Sequence, residues 1–452
     1  AGWEALNRGN NNGSYAYIPA FRVEKLCCYL AFTAGFLGAR LFSFDVVPGF
    51  FVLFPQRILL LVLWGLLVIR TCVEGRVTLP QARTRSYLAF FAVWMTYAML
   101  SVGWAAAKGQ VIRHSVVLFT GVSLLFLVTY YLRDRRVFKD FYLIWFWAFC
   151  GLIILGFWEH LTGVHLPSSR YHDYPEASLM YLPMGVFYNP NDYATFLSIS
   201  TPFALSLARY AGARLAGLIG IGTTLAAFYL IVVTASRANI LAVLLVLGFL
   251  LFFLTRLKQK VKAAFGVLVL LAIALFVLPG PIQDFSSRVA TELDSIVGQA
   301  ELEYGSVAIR ANLIRNGLEF VWQTAGLGVG AGNAEYWMAN FARYDTRGII
   351  SPHNWWLEIL INYGVFVFVG YVAVYLSILW RLWRAWRKAA NREERMIAEA
   401  LLLSLIGFSV ASISSSSIMA FNPNWMLFAF ALAFLNYSLR RGSIASPNAP
   451  KR

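Results

Sequence analysis

Arg237 stands where a cation favours the binding of a phosphate group. It lies in VVTASRANILAVLL directly after Ser236, which we predict to be the N-cap residue of an apolar helix. A cation at the positive end of a helix is disfavoured by about 0.3–1 kcal/mol. A bound phosphate compensates, because the helix end and the guanidinium both attract it. The alternative is an arginine that extends to lipid headgroups.

Two further arginines share one predicted helix, SVAIRANLIRNGLEFVWQ, but lie on different faces of it. Arg310 falls in line with the apolar residues Val307, Leu313, Ile314, Gly317 and Val321, so we predict it on the buried face. A charge on that face needs a partner. Arg315 is spaced i,i+4 from Glu319, which favours a solvated position. We keep Arg315 among the candidate substrate-binding residues.

His353 is the candidate base of the sequence. It follows Ser351 and Pro352, which we predict to be the N-cap and first-turn residues of an apolar helix. Its ordinary pKa of about 6.5 suits a base that works near neutrality. A structural hydrogen bond at the membrane interface is an equal alternative. Gly364, eleven residues later, falls on nearly the same helix face and leaves room for something to approach.

Three more polar residues lie beside or within apolar segments. Glu358 and Asn362 are spaced i,i+4 in the helix that follows His353, and ionisable residues at such depth face an interior or a cavity. Glu358 either bonds a neighbouring helix or belongs to the site. Asp192, in FYNPNDYATFL, is predicted to be an acidic residue at a helix N-terminus, and it could also line the site.

Other motifs have weak support as sites. The histidines lack the spacing of a metal site, and we expect no metal and no cofactor; they are His114, His160, His165 and His172, with Glu159 beside them. The glycines of GLGVGAGN follow no strand and precede no Lys-Ser/Thr, so we predict turn or packing glycines, with a backbone anion nest as the alternative. The four cysteines are interpreted as packing residues.

The elements that carry these residues are predicted to be transmembrane helices. The chain is 59% hydrophobic and 13% charged, whereas soluble domains have about 25% charged residues. We therefore predict an all-α integral membrane protein. Twelve apolar runs have the length of a bilayer span, at about 23–43, 50–70, 85–105, 112–132, 139–160, 190–208, 213–233, 238–255, 262–279, 354–381, 397–418 and 422–440.

The basic residues predict the orientation. Most of the 38 Lys and Arg fall on every second connector, which places both termini in the cytoplasm and accounts for the net charge of +16 without nucleic acid. Arg237, Arg310 and His353 then face the other side. We predict a cytoplasmic segment at 1–22, nine spans within 23–279, an extracytoplasmic loop with amphipathic helices at 280–352, three spans within 353–440, and a cytoplasmic tail at 441–452.

Four stretches in this order resemble the core of a known family. TASRANILAVLL, AIRANLIRNGLEFV, GLGVGAGN and SPHNWWLEILINYG are similar to the O-antigen ligase and O-antigen polymerase superfamily of bacterial membrane glycosyltransferases. FYNPNDYATFL also resembles that family, and the similarity covers about residues 189–370. One position departs, because Val367 stands where the ligase pattern has Gly, Thr or Tyr. This departure weakens ligase relative to polymerase.

The resemblance implies a fold, a reaction and roles. The fold would be a GT-C-like helical bundle in the bacterial cytoplasmic membrane, with its site on the periplasmic or extracellular side. A glycan on undecaprenyl diphosphate would move to a sugar hydroxyl, on a lipid-linked or lipid A-core acceptor, without nucleotide or metal. Arg237 and Arg310 would hold the diphosphate, and His353 would orient or deprotonate the hydroxyl. Asn354 matches the family pattern beside His353, and we expect it to contact substrate.

Three functions remain open at this stage. A glycosyltransferase, either polymerase or ligase, is the preferred interpretation. A flippase for lipid-linked oligosaccharide is the second, although the sequence lacks the inverted symmetry that such transporters favour. The third is a structural partner in an export complex, which predicts no dependence on Arg237, Arg310 or His353.

Overall fold

The computed structural model describes residues 22–38, 40–47, 51–75, 84–255, 306–415 and 418–444. Those residues are mainly helical, and the only strands among them are the two short ones of a hairpin, which confirms the all-α prediction. The helices are α1 (Arg22–Ala34), α2 (Pro55–Glu74), α3 (Arg85–Leu100), α4 (Lys108–Tyr131), α5 (Arg135–Thr162), α6 (Arg170–Asp173), α7 (Pro190–Tyr210), α8 (Arg214–Val233), α9 (Arg237–Phe249), α10 (Ser306–Gln323), α11 (Ala334–Phe341), α12 (Trp355–Arg387), α13 (Arg392–Ala411) and α14 (Asn422–Ile444).

The helices divide into a buried centre and an apolar periphery. In α14 every residue from 426 to 435 is buried, and α7 and α13 are buried over most of their length. A helix that is apolar all round belongs in such a centre. On α2 and α8 the outward side chains are apolar but exposed, as at Val73 (81%) and Leu218 (65%). Continuous exposed apolar surface of this kind is covered by lipid.

Seven of the described helices are long and apolar enough to cross a membrane, so the chain is a multi-pass membrane protein. They are α2, α3 with the turn to Gly103, α4, α5, α8, α9 with the turn to Leu254, and α12. Eleven of the twelve predicted spans fall on a described helix. The run at 262–279 lies outside the described residues, as do the predicted amphipathic helix at 282–299 and the basic connector that begins at Arg256. The total of twelve spans stays a prediction.

The first predicted span is shorter than expected. The helix α1 ends at Ala34, a 3-10 turn follows at Gly35–Leu37, and Gly38 then takes a left-handed φ of 75°. Past this glycine the chain forms an antiparallel hairpin of β1 (Phe44–Val47) and β2 (Phe51–Leu53). The apolar residues that extended the prediction to residue 43 therefore belong to the approach to this hairpin.

The termini of the long helices lie at two opposite ends of the bundle. We call the end at which α7, α9, α12 and α14 begin the His353 end. At the opposite end the buried Glu399 of α13 accepts hydrogen bonds from Arg209 Nη1 (2.7 Å), Tyr210 OH (2.8 Å) and Trp386 Nε1 (3.0 Å). This carboxylate joins α7, α12 and α13, since a buried charge is tolerated only when it is paired.

Candidate active site

His353 lies immediately before α12 in a strained turn. The sequence placed Ser351 and Pro352 at the N-cap and first turn, and this is wrong. The helix begins at Trp355, and the Asn354 side chain accepts hydrogen bonds from Trp356 N (3.1 Å) and Leu357 N (3.4 Å). An asparagine caps a helix at least as well as a serine, so the Ser-Pro pair remains in the preceding loop. His353 itself has a left-handed φ of 47°, a conformation that costs about 1–3 kcal/mol outside glycine.

Arg310 of α10 lies close to the His353 imidazole. Burial lowers the pKa of His353, and the positive charge of Arg310 lowers it further. Neither side chain makes a hydrogen bond or an ion pair with another residue in the described part of the chain. Arg310 is therefore near enough to act on the imidazole electrostatically, and neither group has a carboxylate partner among the described residues.

The face of α10 that carries Arg310 differs from the prediction. Leu313, Asn316 and Phe320 are buried, whereas Arg310 is exposed and Ile314 is 41% exposed. Arg310 thus lies at the edge of the buried face rather than on it, so the predicted burial is wrong. Partial loss of solvent still lowers the pKa of its guanidinium.

Arg315 is solvated, as its spacing predicted, but it has a different neighbour. Its guanidinium lies over the Tyr344 ring at 5.7 Å from the centroid. Glu319 lies 3.9 Å from Arg343 Nη1 and accepts a hydrogen bond from Gln323. The predicted pair of Arg315 with Glu319 is not formed among the residues that the structure describes.

The serines at the end of α13 connect the starts of three other helices. In this serine segment, residues 412–415, the Ser412 carbonyl accepts a hydrogen bond from Trp355 N (3.0 Å), two residues after His353. The Ser414 hydroxyl accepts one from Asn239 Nδ2 (2.9 Å) in the first turn of α9. The Ser415 hydroxyl donates to Asp192 in the first turn of α7. One short segment therefore positions α7, α9 and α12 relative to each other.

Arg237 begins α9 at this junction, and its side chain is exposed. Ser236 is the N-cap residue as predicted, but its hydroxyl does not cap the helix. It accepts a hydrogen bond from the buried Asn239 (2.9 Å) and donates to Ser414 (3.5 Å) instead. The residues beside Arg237 and beside His353 are thus joined through the serine segment.

Asp192 is the first-turn acid of α7, which confirms its predicted position. Asn189 is the N-cap residue, and its carbonyl oxygen accepts a hydrogen bond from Asp192 N (2.8 Å). The Asn189 amide donates to the Asp192 carboxylate at 2.8 Å, while Ser415 donates to its other oxygen. Asp192 is therefore fixed by hydrogen bonds from both neighbours.

The glycines of GLGVGAGN form a loop against α12, which confirms the packing interpretation. In this glycine loop, residues 326–332, Gly326, Gly328, Gly330 and Gly332 all have positive φ. Backbone hydrogen bonds attach it to α12, namely Val329 N to Ile361 O (2.8 Å) and Gly330 N to Asn362 O (3.1 Å). These backbone hydrogen bonds fix the glycine loop against α12.

Gly364 lies where the glycine loop approaches α12 most closely. Its φ of 74° and ψ of −175° interrupt the helix, and a Cβ there would overlap the backbone of Gly326 and Leu327. The space that we predicted at Gly364 is filled by the protein's own chain. The buried Asn362 accepts a hydrogen bond from Ala334 N (2.9 Å), so it orients α11, and Glu358 is buried one turn before it.

Asn316 is a positioning residue that the sequence patterns did not reveal. It is fully buried on α10, where its carbonyl oxygen accepts hydrogen bonds from Arg343 N (3.0 Å) and Tyr344 N (2.9 Å). Its amide donates to Tyr344 O (2.8 Å). These bonds hold the loop before His353 against the helix that carries Arg310. The serine segment was missed as well, although the run SISSSS after an apolar span was a visible signal.

The remaining histidines have structural contacts. Glu159 accepts hydrogen bonds from Met184 N and Gly185 N (both 2.7 Å), and His165 Nδ1 lies 3.5 Å from its other oxygen. The other contacts are His160 to Tyr181 O (2.9 Å), His165 to Met180 O (2.8 Å), His172 to the His165 carbonyl (3.2 Å), and His114 against Gly332. These residues stabilise the loop between α5 and α7 and the docking of the glycine loop.

Comparison with known proteins identifies the family. A family model described as O-antigen ligase matches residues 222–372, which include Arg237, Arg310 and His353. The teichuronic acid biosynthesis protein TuaE of Bacillus subtilis (strain 168) is 31% identical over 449 residues, or 96% of this chain and 88% of TuaE. The chain belongs to the O-antigen ligase superfamily. As a member of this superfamily, it is a membrane protein of polysaccharide biosynthesis.

One chain of a solved structure matches this protein at low similarity. A chain in the structure described as "Structural coordination of polymerization and crosslinking by a peptidoglycan synthase complex" superposes with a TM-score of 0.42 and 16% identity. The superposition covers 78% of this O-antigen ligase superfamily member and 96% of that chain. At this score it carries no inference about the site.

Proposed function

We propose that the protein is a glycosyltransferase that transfers a glycan from undecaprenyl diphosphate to a sugar hydroxyl on the outer side of the cytoplasmic membrane. The preferred reaction is polymerisation of a surface polysaccharide. The observation that carries this proposal is the placement of Arg310 beside His353, where neither side chain has a hydrogen bond or an ion pair among the described residues. Such a pair suits a reaction in which Arg310 binds the anionic diphosphate of the donor and His353 contacts the sugar hydroxyl of the acceptor.

The chemistry follows from these groups. The hydroxyl oxygen attacks the anomeric carbon, the bond from that carbon to the diphosphate oxygen breaks, and its electron pair leaves with the diphosphate. The guanidiniums of Arg310 and Arg237 hold the departing charge, and each charge-assisted hydrogen bond contributes about 1.5–3 kcal/mol. His353 takes the hydroxyl proton, and a positioned base contributes roughly 10²–10⁴-fold in rate. Direct attack inverts the configuration at the anomeric carbon.

The other predicted site residues take supporting roles in this proposal. Asn354 fixes the start of α12, and hence His353, through its capping bonds. Asp192 and Glu358 are proposed to line the sugar-binding side of the site, and Arg315 to contact substrate from the exposed face of α10. The proposal assigns no carboxylate as a covalent nucleophile, and Asp192 is held in place by hydrogen bonds from Asn189 and Ser415.

Similarity to TuaE supports polysaccharide synthesis and favours an acidic surface polymer as the product. The family description favours a second candidate, in which an O-antigen ligase attaches the finished glycan to a lipid A-core acceptor. The two reactions share the donor and the three residues, and they differ only in the acceptor.

Alanine replacement of Arg237, Arg310 and His353 tests the proposal in cells. We expect each variant to lose long glycan chains on the cell surface while the protein remains expressed and inserted. Arg343→Ala is the matched control, because Arg343 is an exposed arginine of the same loop region whose ion pair with Glu319 is long (3.9 Å). Unchanged long chains in all three variants would rule out the proposed enzymatic activity and favour a structural role in an export complex.

A further inference from the structure

A basic cavity lies at the His353 end of the bundle, between α2, α4 and the start of α14. Its volume is about 400 Å³. Among the described residues, its charged lining consists of Arg40, Arg57 and Arg113 and one carboxylate, Asp45. Arg40 lies at 3.8 Å from Asp173 and over the Tyr188 ring, so its charge is partly used. Arg57 and Arg113 remain as the cations of this cavity.

Arg57 is a buried guanidinium without a carboxylate partner among the described residues. It is 8% exposed, and its Nε donates to Thr120 Oγ1 (3.1 Å) while Nη1 donates to the Val52 carbonyl. The Phe51 and Phe54 rings lie 5.3 and 4.9 Å from its Cζ atom. A buried charge needs an opposite charge, and these neutral contacts hold the guanidinium in place without neutralising it.

Arg113 provides the second charge. It is exposed on α4, one residue before His114, and it makes no hydrogen bond or ion pair within the described ranges. Arg113 also acts on Glu335 of α11: burial raises the pKa of this carboxyl, and the positive charge of Arg113 offsets part of that rise. An anion bound between Arg57 and Arg113 would neutralise both charges. A phosphate suits this position, because guanidinium groups bind phosphate oxygens through paired hydrogen bonds.

An apolar groove continues from this cavity along the membrane-facing side of the bundle. It has a volume of about 650 Å³ and lies between α2, α3 and α4. Arg57, Val116 and Thr120 line both the groove and the cavity. Most of the other lining residues are apolar, among them Leu60, Trp64, Met95, Met99, Val111 and Phe119. A charged cavity that opens into an apolar groove matches a lipid with a phosphate headgroup.

We infer that this cavity and groove bind a second polyprenyl-linked substrate, with its phosphate between Arg57 and Arg113 and its lipid chain in the groove. The inference rests on the proposed function, since a polymerase joins two glycans that are both carried on lipid. Trp425 lines the cavity and contacts Trp355 with ring centroids 6.5 Å apart, and Trp355 follows His353 by two residues. One aromatic pair therefore separates the second headgroup from the candidate active site.

Native mass spectrometry of the purified protein with polyprenyl monophosphate tests this inference. We expect the wild type to bind two lipid molecules. Arg113→Ala should bind the second at least about tenfold more weakly, the loss expected for one charge-assisted bond. Among the described residues Arg113 makes no hydrogen bond that the substitution would remove, so this variant should fold. Arg57→Lys should weaken the same site, whereas Lys108→Ala, which removes an exposed charge from the same helix outside the cavity, should keep two lipids.

Further probes separate the lipid from other sources of phosphate. Polyprenol without phosphate and inorganic phosphate alone should each bind at least about tenfold more weakly than polyprenyl monophosphate. A wild type that binds one lipid, an Arg113→Ala variant that keeps two, or equal binding of phosphatidylglycerol would overturn the inference. If Arg310→Ala and His353→Ala abolish chain growth while the wild type binds one lipid, only this inference fails. If those variants keep long chains, the proposed function fails, whatever the lipid count.

Discussion

At the scale of single residues, the pairing of Arg310 with His353 defines the candidate site. A cation beside an imidazole disfavours the protonated imidazole, so His353 stays neutral and able to accept a proton. The same cation attracts the leaving diphosphate. One arrangement thus keeps the imidazole neutral and leaves the Arg310 charge available to an anion, whereas a carboxylate paired with Arg310 would neutralise that charge.

Two substitutions of Arg310 distinguish the contribution of its positive charge from that of its planar guanidinium geometry. We expect Arg310→Ala to lower kcat/KM by roughly 10–100-fold, the equivalent of about 1.5–3 kcal/mol for one charge-assisted bond. Arg310→Lys should fall between this variant and the wild type, because lysine keeps the charge but cannot bind a phosphate with a planar fork. Steady-state kinetics on a lipid-linked donor measures both. Equal activity of the alanine variant and the wild type would remove Arg310 from the site.

The pH dependence of the reaction tests the state of His353. Burial and Arg310 both lower the pKa of the imidazole, so the neutral base persists below its ordinary value of about 6.5. We expect kcat/KM to stay level as the pH falls past 6.5 and to decline only at lower pH, as His353 becomes protonated. In Arg310→Gln the decline should begin at higher pH, since one cause of the lowered pKa is gone. A wild-type decline that begins above pH 6.5 would contradict this assignment.

Sequence reasoning found these residues but not their arrangement. Arg310 and His353 lie in different elements, so no spacing rule could predict that they meet. The face of α10 was misjudged because its buried side is centred on Asn316, a polar residue that periodicity assigns to solvent. Burial of Asn316 becomes favourable only through its three hydrogen bonds with residues 343 and 344, which lie outside the helix.

At the scale of elements, the glycine loop and the interrupted helix α12 form one unit. The loop donates two hydrogen bonds to α12 and accepts one from Val365 N to Gly326 O (2.9 Å), just after the interruption at Gly364. The glycines themselves were predictable as turn or packing residues. Their partner was not, because a glycine shows that a close approach occurs without showing what approaches.

Gly364→Ala should therefore destabilise the protein. Alanine in the left-handed region is strained by about 1–2 kcal/mol, and its methyl group would also displace the glycine loop. We expect a lower Tm by differential scanning fluorimetry in detergent, together with loss of activity. Gly151→Ala, in the interior of α5 with open space around the added carbon, is the control and should be neutral or slightly stabilising. Equal Tm values for the two variants would refute the close packing of loop and helix.

At the scale of the whole molecule, the hydropathy of the sequence predicted the helices well. The thickness of the bilayer sets a minimum length for every membrane-spanning helix. Most predicted spans therefore agree with a described helix to within a few residues. The first span ends earlier than predicted because hydropathy does not mark where an apolar helix stops, here at Ala34 before the turn at Gly38. The division of helices into centre and periphery could not be predicted, since lipid and protein interior are equally apolar to a single sequence.

The orientation of the bundle gives a prediction at this scale. The basic connectors predict that the His353 end lies outside the cytoplasm. In a Cys72→Ser background, Lys108→Cys should react with a membrane-impermeant maleimide in intact cells, because Lys108 is exposed at the His353 end. Lys388→Cys, exposed at the opposite end, should react only after the membrane is broken. The reverse pattern would place the candidate site in the cytoplasm and exclude an external glycosyl transfer.

The most direct test of the central proposal is synthesis by the purified protein in nanodiscs with one lipid-diphosphate-linked repeat unit as donor and acceptor. The account predicts a ladder of glycan lengths, one polyprenyl diphosphate released for each bond formed, and ladder formation slowed by roughly 10–100-fold in Arg310→Ala and roughly 10²–10⁴-fold in His353→Ala. A ladder that persists unchanged in both variants would contradict it, as would a folded wild type that forms no glycosidic bond with either this acceptor or a lipid A-core acceptor.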